Sequence, residues 1–123
     1  MNYKTVIFKE LFSSNQCIHS TENQDNEFQP LQSGGRMIGF QNNEILLTTG
    51  DYRSRYLAQD KESVNGKILK ISLDKNEYQI LSMGHRNPQG LYFDRAKNII
   101  LETEHGPMGG DEICLLYTSP SPR

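Results

Sequence analysis

From Gly84 to Glu112 the chain reads GHRNPQGLYFDRAKNIILETEHGPMGGDE, which gathers Arg, Asn, His, Asp and Glu into two Gly/Pro-rich turns flanking a plain strand pair. Arg86 presents a planar fork of donors suited to a carboxylate. Asn87 can both donate to and accept from a carbonyl group. Pro88 fixes the turn that aims the two side chains. The simpler role for Arg86 and Asn87 is to tie this loop to neighbouring strands. EHGPMGGDE is, by its residues alone, a Gly/Pro turn with an exposed acidic end.

Such turns need a scaffold, and the preceding sequence predicts strands. Tyr3–Lys9 is β-rich and partly alternating. Residues 12–33 turn polar without a period, a long loop that contains His19 and Pro30. Gly35–Phe40 and Glu44–Thr49 read as two strands joined through Gln41-Asn42-Asn43, an Asn-rich hairpin signal. A polar excursion, DYRSRYLAQDKESVNG, follows Gly50. Gly66–Leu73 and Glu77–Met83 pair around Asp74-Lys75-Asn76, and Gln89–Asp94 and Asn98–Thr103 around Arg95-Ala96-Lys97. No stretch sustains a helical i, i+3, i+4 pattern, so the fold class is all-β with short strands.

The strands repeat. NEILLTTGD (43–51) resembles NIILETEHG (98–106) with one residue skipped, and each follows a strand running from Gly to Phe. Ile45 corresponds to Ile99, 54 residues on, and about four strands fill the interval. That is the scale of a propeller blade, whose period is about 40–50 residues. Two blades cannot close a ring that takes about 4–8 of them.

Composition narrows the function classes. A formal net charge of -2 and a pI near 5.9 argue against nucleic acid or an anionic membrane as the principal partner. No apolar run approaches the roughly 20 residues of a membrane span, and no signal-peptide pattern is visible. Cys17 and Cys114 form no metal-ligand or CxxC spacing. At 35% hydrophobic with a mean hydropathy of -0.67, the chain is lean for a self-sufficient core.

The final ten residues, CLLYTSPSPR (114–123), match nothing before them and resemble the translated read-through of a transposase-type sequencing adapter. A Ser/Pro-rich linker has a similar composition. The adapter reading divides the chain into a propeller domain over 1–113 and a non-native tail over 114–123, with the gene continuing beyond Ile113.

GHRNPQGL, with EHGPMGGDEI after it and GGR, TTGD, AQD and GKIL before it, resembles the glucose/sorbosone dehydrogenase family over roughly Gln32–Ile113. The resemblance implies a fragment, about two blades, of a six-bladed β-propeller. It also implies a quinoprotein that uses pyrroloquinoline quinone and calcium to oxidise aldose sugars, passing electrons to a separate acceptor in the periplasm or outside the cell. By the same resemblance Arg86 and Asn87 contact the cofactor, and Gln59 of the AQD element belongs to the site. The backbone carbonyls of Gly106 and Pro107 ligate calcium, Asp111 lies near that ion, and Glu112 is structural. Asp51 matches the aspartate that orients a catalytic histidine. That histidine stands four residues before the Arg of GGR in the family, and here the position holds Gln32. An amide cannot take a proton near neutral pH as imidazole does. Asp51 is then the nearest candidate base, with His19 and His105 as further possibilities.

Two functions follow from this departure. One is a sugar dehydrogenase in which another group replaces the histidine. The other is a propeller binding module that kept the scaffold and lost the base, since fold alone does not settle activity. Gly109–Ile113 also resembles the GGDEF signature of diguanylate cyclases, but that domain is α/β and nothing helical precedes the motif here.

Overall fold

The computed structural model describes residues 4–117. Seven strands and one short helix make two antiparallel sheets: β1 (Gly34–Gly39), β2 (Glu44–Thr49), α1 (Arg55–Gln59), β3 (Lys67–Ser72), β4 (Tyr78–Met83), β5 (Pro88–Asp94), β6 (Ile99–Glu104) and β7 (Glu112–Tyr117). The first sheet runs β1-β2-β3-β4 and the second β5-β6-β7, each a meander of sequence neighbours. The repeat is visible in the pairing. Ile45 faces Gly39 on one side and Ile71 on the other, as Ile99 faces Asp94 and Tyr117. These are the two blades expected of a β-propeller fragment.

Local chemistry explains the hairpins. Asn42 and Asn43 both adopt positive φ, 55° and 57°, as a turn matched to strand twist requires. On β2, Leu46 and Thr48 point toward the second sheet while Ile45 and Leu47 face the other way. Leu46 and Ile100 are fully buried and pack with Phe40 between the sheets, together with Ile38, Leu81, Leu91, Phe93 and Leu116. The Phe40 and Phe93 rings stand 4.6 Å apart. Each fully buried side chain of this size contributes about 1.5–3 kcal/mol. The opposite face of the first sheet buries Val64, Leu69 and Ile71 beneath Leu11 and Phe12 of the N-terminal segment.

Three expectations change. Residues 4–9 carry no regular structure, and Val6, Ile7 and Phe8 are exposed. Strand propensity there finds no partner strand among the described residues, and propensity without cross-strand packing is weak. The excursion after Gly50 contains α1, a single turn too short to register as periodicity. Third, Glu112–Tyr117 forms β7, so Cys114–Tyr117 continues a strand paired in register with Ile99–Glu102. Residues 118–123 of the tail lie outside the described residues.

The sheets are also joined by polar contacts near the loops. Thr48 donates its hydroxyl to the Pro88 carbonyl at 2.8 Å and accepts from Arg36 N at 2.9 Å. Arg36 Nε donates to the Gln89 carbonyl at 3.0 Å. These bonds fix where β5 begins, and so where Arg86 and Asn87 stand.

Candidate functional site

Loops from both sheets meet at one end of the molecule. Asp51 N donates to the Arg86 carbonyl at 2.9 Å, Gly66 N to the Gly50 carbonyl at 3.0 Å and His85 N to the Gly66 carbonyl at 3.1 Å. Gly66 lies at φ +66°, and a Cβ there would stand 2.5 Å from both Ala58 Cβ and the His85 carbonyl oxygen. No other residue fits this crossing.

The helix is anchored from below by an unforeseen residue. Lys67 is fully buried, and its ammonium donates to the carbonyls of Leu57 (2.7 Å), Ala58 (3.0 Å) and Asn65 (2.7 Å). Two of these are carbonyls of the last helical turn, which have no partner within the helix. Burial pushes the ammonium below its ordinary pKa, with Asp60 acting in the opposite sense. Lys67 therefore sets the position of α1.

Between α1 and the β4–β5 loop lies a cleft of about 260 Å³ lined by Asp51, Arg55, Ala58, Gln59, Gly84, His85, Arg86 and Pro107. Four residues singled out from the sequence, Asp51, Gln59, Arg86 and Pro107, thus converge. Arg55 and His85 join them. Asp51 is 3% exposed. Burial raises its carboxyl above the ordinary aspartate range, against the Arg53 amide, which donates to Oδ1 at 2.8 Å, and the nearby Arg86 and Arg55 guanidinium groups.

The other expected residues lie around this cleft rather than in it. Asn87 is buried, and its Oδ1 accepts from Gly34 N at 3.1 Å, which ties the loop to β1. Gln32 does not line the cleft: its carbonyl accepts from Tyr52 N at 3.1 Å, and its buried side-chain oxygen has no hydrogen-bond partner. His19 is in the exposed N-terminal loop, its Nδ1 accepting from the Glu22 amide at 3.0 Å. His105 is 63% exposed and stands 3.6 Å from Asp111. Neither histidine lines the cleft.

The second turn is closed on itself. Gly106 N donates to Asp111 Oδ1 at 3.1 Å, and Gly110 N donates to the Pro107 carbonyl at 2.6 Å. The Gly106 carbonyl accepts from the Arg86 guanidinium. A Cβ on Gly106 would overlap the Gly110 carbonyl, 1.8 Å away, so only glycine permits this closure. Calcium takes about 6–8 oxygen donors. Two carbonyls already bonded, one of them to a cation, and one exposed carboxylate do not fit that ion in this arrangement. The cleft does fit a ligand bearing carboxylates, because Arg55 and Arg86 both line it.

A sequence model described as Glucose / Sorbosone dehydrogenase matches residues 9–119, and the chain belongs to that family. It is 32% identical over 93 residues to the aldose sugar dehydrogenase YliI of Escherichia coli, covering 65% of this chain and 25% of that protein. It is 30% identical over 115 residues to quinoprotein glucose dehydrogenase B of Acinetobacter calcoaceticus, covering 69% of this chain and 24% of that protein. Among solved structures, the PQQ-bound form of aldose sugar dehydrogenase from Streptomyces coelicolor superposes with a TM-score of 0.63 at 30% identity, over 69% of this chain and 28% of that one. The apo-form of the soluble aldose sugar dehydrogenase of E. coli gives a TM-score of 0.58 at 29% identity, over 68% and 28%. The chain spans about a quarter of the curated relatives it matches.

Proposed function

We propose that this chain supplies part of the cofactor and substrate pocket of a sugar dehydrogenase that oxidises an aldose hydroxyl with pyrroloquinoline quinone as acceptor. The observation that carries the reading is the convergence of Asp51, Gln59, Arg55 and Arg86 on one cleft. Arg86, with Nη1 on the Gly106 carbonyl, and Arg55, with Nη2 3.3 Å from Glu27 Oε2, each keep further N–H donors for the cofactor's carboxylates, and Gln59 adds an amide that can donate or accept. Asn87 acts as a positioning residue, holding the Arg86 loop to Gly34. When bound, the quinone accepts the hydride equivalent. The proton of the sugar hydroxyl goes to Asp51. Its raised carboxyl pKa makes it a stronger base than an ordinary aspartate, though it must be ionised to act. Calcium on Gly106 and Pro107 would have to displace the Arg86 guanidinium, and no step here passes through it. Among the described residues no helix is long and apolar enough to cross a membrane.

The second reading is a binding module without oxidation, and Gln32 is the departure that raises it. Gln32 stands where the resemblance places the base, and no histidine replaces it in the cleft apart from His85, whose Nε2 lies 2.7 Å from Ser82 Oγ. The test is to reconstitute the full-length protein carrying this sequence with the quinone, with and without added calcium, and follow dye reduction by aldoses. Asp51→Asn should lower kcat by roughly 10²–10⁴ while quinone binding persists. Quinone binding without any aldose-dependent dye reduction would establish the binding module instead.

A further inference from the structure

Behind the cleft, the start of the β4–β5 loop meets β6 through His85, Glu102 and Glu104. One ligand atom from each lies within 4.8 Å of the others. His85 is 5% exposed and Glu102 0%. His85 Nδ1 stands 3.6 Å from Glu104 Oε1 and 3.8 Å from Glu102 Oε2, outside normal hydrogen-bond range. His85 Nδ1 and both oxygens of Glu102 are buried without a hydrogen-bond partner.

Buried polar groups in folded proteins are almost always satisfied. Unpartnered ligand atoms on two buried side chains, His85 and Glu102, with the Glu104 carboxylate beside them, indicate that something binds there. We propose that His85, Glu102 and Glu104 form a structural divalent-cation site of the zinc class. One imidazole nitrogen and two carboxylate oxygens are donors that zinc takes at about 2.0–2.2 Å. Ligands of a tetrahedral ion at that bond length stand about 3.3 Å apart, so the two spacings from His85 close by a few tenths of an ångström. The supporting contacts suit the role. The other ring nitrogen of His85 is engaged by Ser82 Oγ at 2.7 Å, which orients the ring. The other oxygen of Glu104 accepts from Arg86 N at 2.8 Å, which orients the carboxylate toward His85. Two carboxylates balance its charge, and water completes its coordination. The ion would pin the β4–β5 loop to β6, and with it Arg86. This site is separate from the Gly106 and Pro107 carbonyls and does not depend on the cofactor reading.

The test uses the full-length protein, stripped with a chelator and titrated with Zn²⁺ in excess Ca²⁺. One tightly held equivalent of zinc per chain is expected, with a zinc-dependent rise in melting temperature. Glu102→Gln and His85→Asn should each weaken zinc binding by at least about 100-fold. Cobalt should give the strong visible absorption of a tetrahedral site, lost in the same variants. Near-UV circular dichroism and cooperative melting establish that each variant is folded, and either of the two suffices. The proposal is overturned if the wild type takes up no zinc, or if a folded Glu102→Gln or His85→Asn protein binds it as tightly.

Discussion

Replacing Lys67 with methionine keeps the unbranched stem as far as Cε and removes the ammonium from a fully buried position. Three carbonyls lose a donor, but the loss is unequal. Leu57 O still accepts from Asp60 N at 3.2 Å, and Ala58 O from Gly84 N at 2.9 Å. Asn65 O has the ammonium, at 2.7 Å, as its main partner. An orphaned buried carbonyl costs about 1–3 kcal/mol. Against this, the variant no longer desolvates a charge, and a buried cation exchanged for an apolar side chain can be neutral or better. Here the loss falls mainly on Asn65 O, which sits in a buried loop with the ammonium as its donor, and that orphaned carbonyl dominates. Lys67→Met should destabilise the folded state by about 1–3 kcal/mol, a factor of roughly 5–150 in the folding equilibrium. Urea titration of the full-length protein measures it. Because α1 carries Arg55 and Gln59 into the cleft, quinone affinity should fall as well. A variant as stable as the wild type with unchanged affinity would refute the anchoring role of Lys67.

Gly66→Ala places a Cβ 2.5 Å from Ala58 and from the His85 carbonyl at a positive φ; strain and crowding together should cost about 2–5 kcal/mol, seen as a lower urea midpoint, and a midpoint equal to wild type would count against the crossing described above. The Asp51 carboxyl, raised by burial, binds more protons folded than unfolded. Its contribution to stability is therefore complete below the unfolded value of about 3.9 and is lost as pH rises through the folded pKa. Asp51→Asn should flatten that part of the stability–pH curve, measured by denaturant titration across acidic pH, and an unaltered slope would sink the assignment. Sequencing the DNA over codons 114–123 should give a run identical to a transposase adapter; unrelated codons there would make Cys114–Arg123 native.

What could be read from the sequence depended on whether a residue's type betrays its direction. The hairpins were legible because alternation and the Asn42-Asn43 turn both act locally. Arg86, Asp51 and Gln59 were legible through the motifs that hold them, and the cleft brings them together. Lys67 and Glu102 were not, because a charged residue in an alternating strand reads as solvent-facing, and both are fully buried. Only the third dimension supplies the carbonyls that Lys67 caps and the imidazole that Glu102 faces. The helix escaped because five residues carry no period. β7 escaped because Glu112 read as the end of a turn and Cys114 as the start of a tail.

The same distinction bears on the site itself. Arg86 is held three ways: its carbonyl by Asp51 N, its amide by Glu104 and its guanidinium by Gly106. Those contacts reach the loop after β2, strand β6 and the turn before β7, so Arg86 stands where both blades meet. A residue in that position orders the junction whether or not it also binds a cofactor. Loss of activity in an Arg86 variant therefore cannot by itself separate the dehydrogenase from the binding module. Asp51 can: its backbone amide makes the contact to Arg86, and its Oδ1 contact to Arg53 survives in asparagine, so Asp51→Asn removes the titratable group and leaves the junction in place.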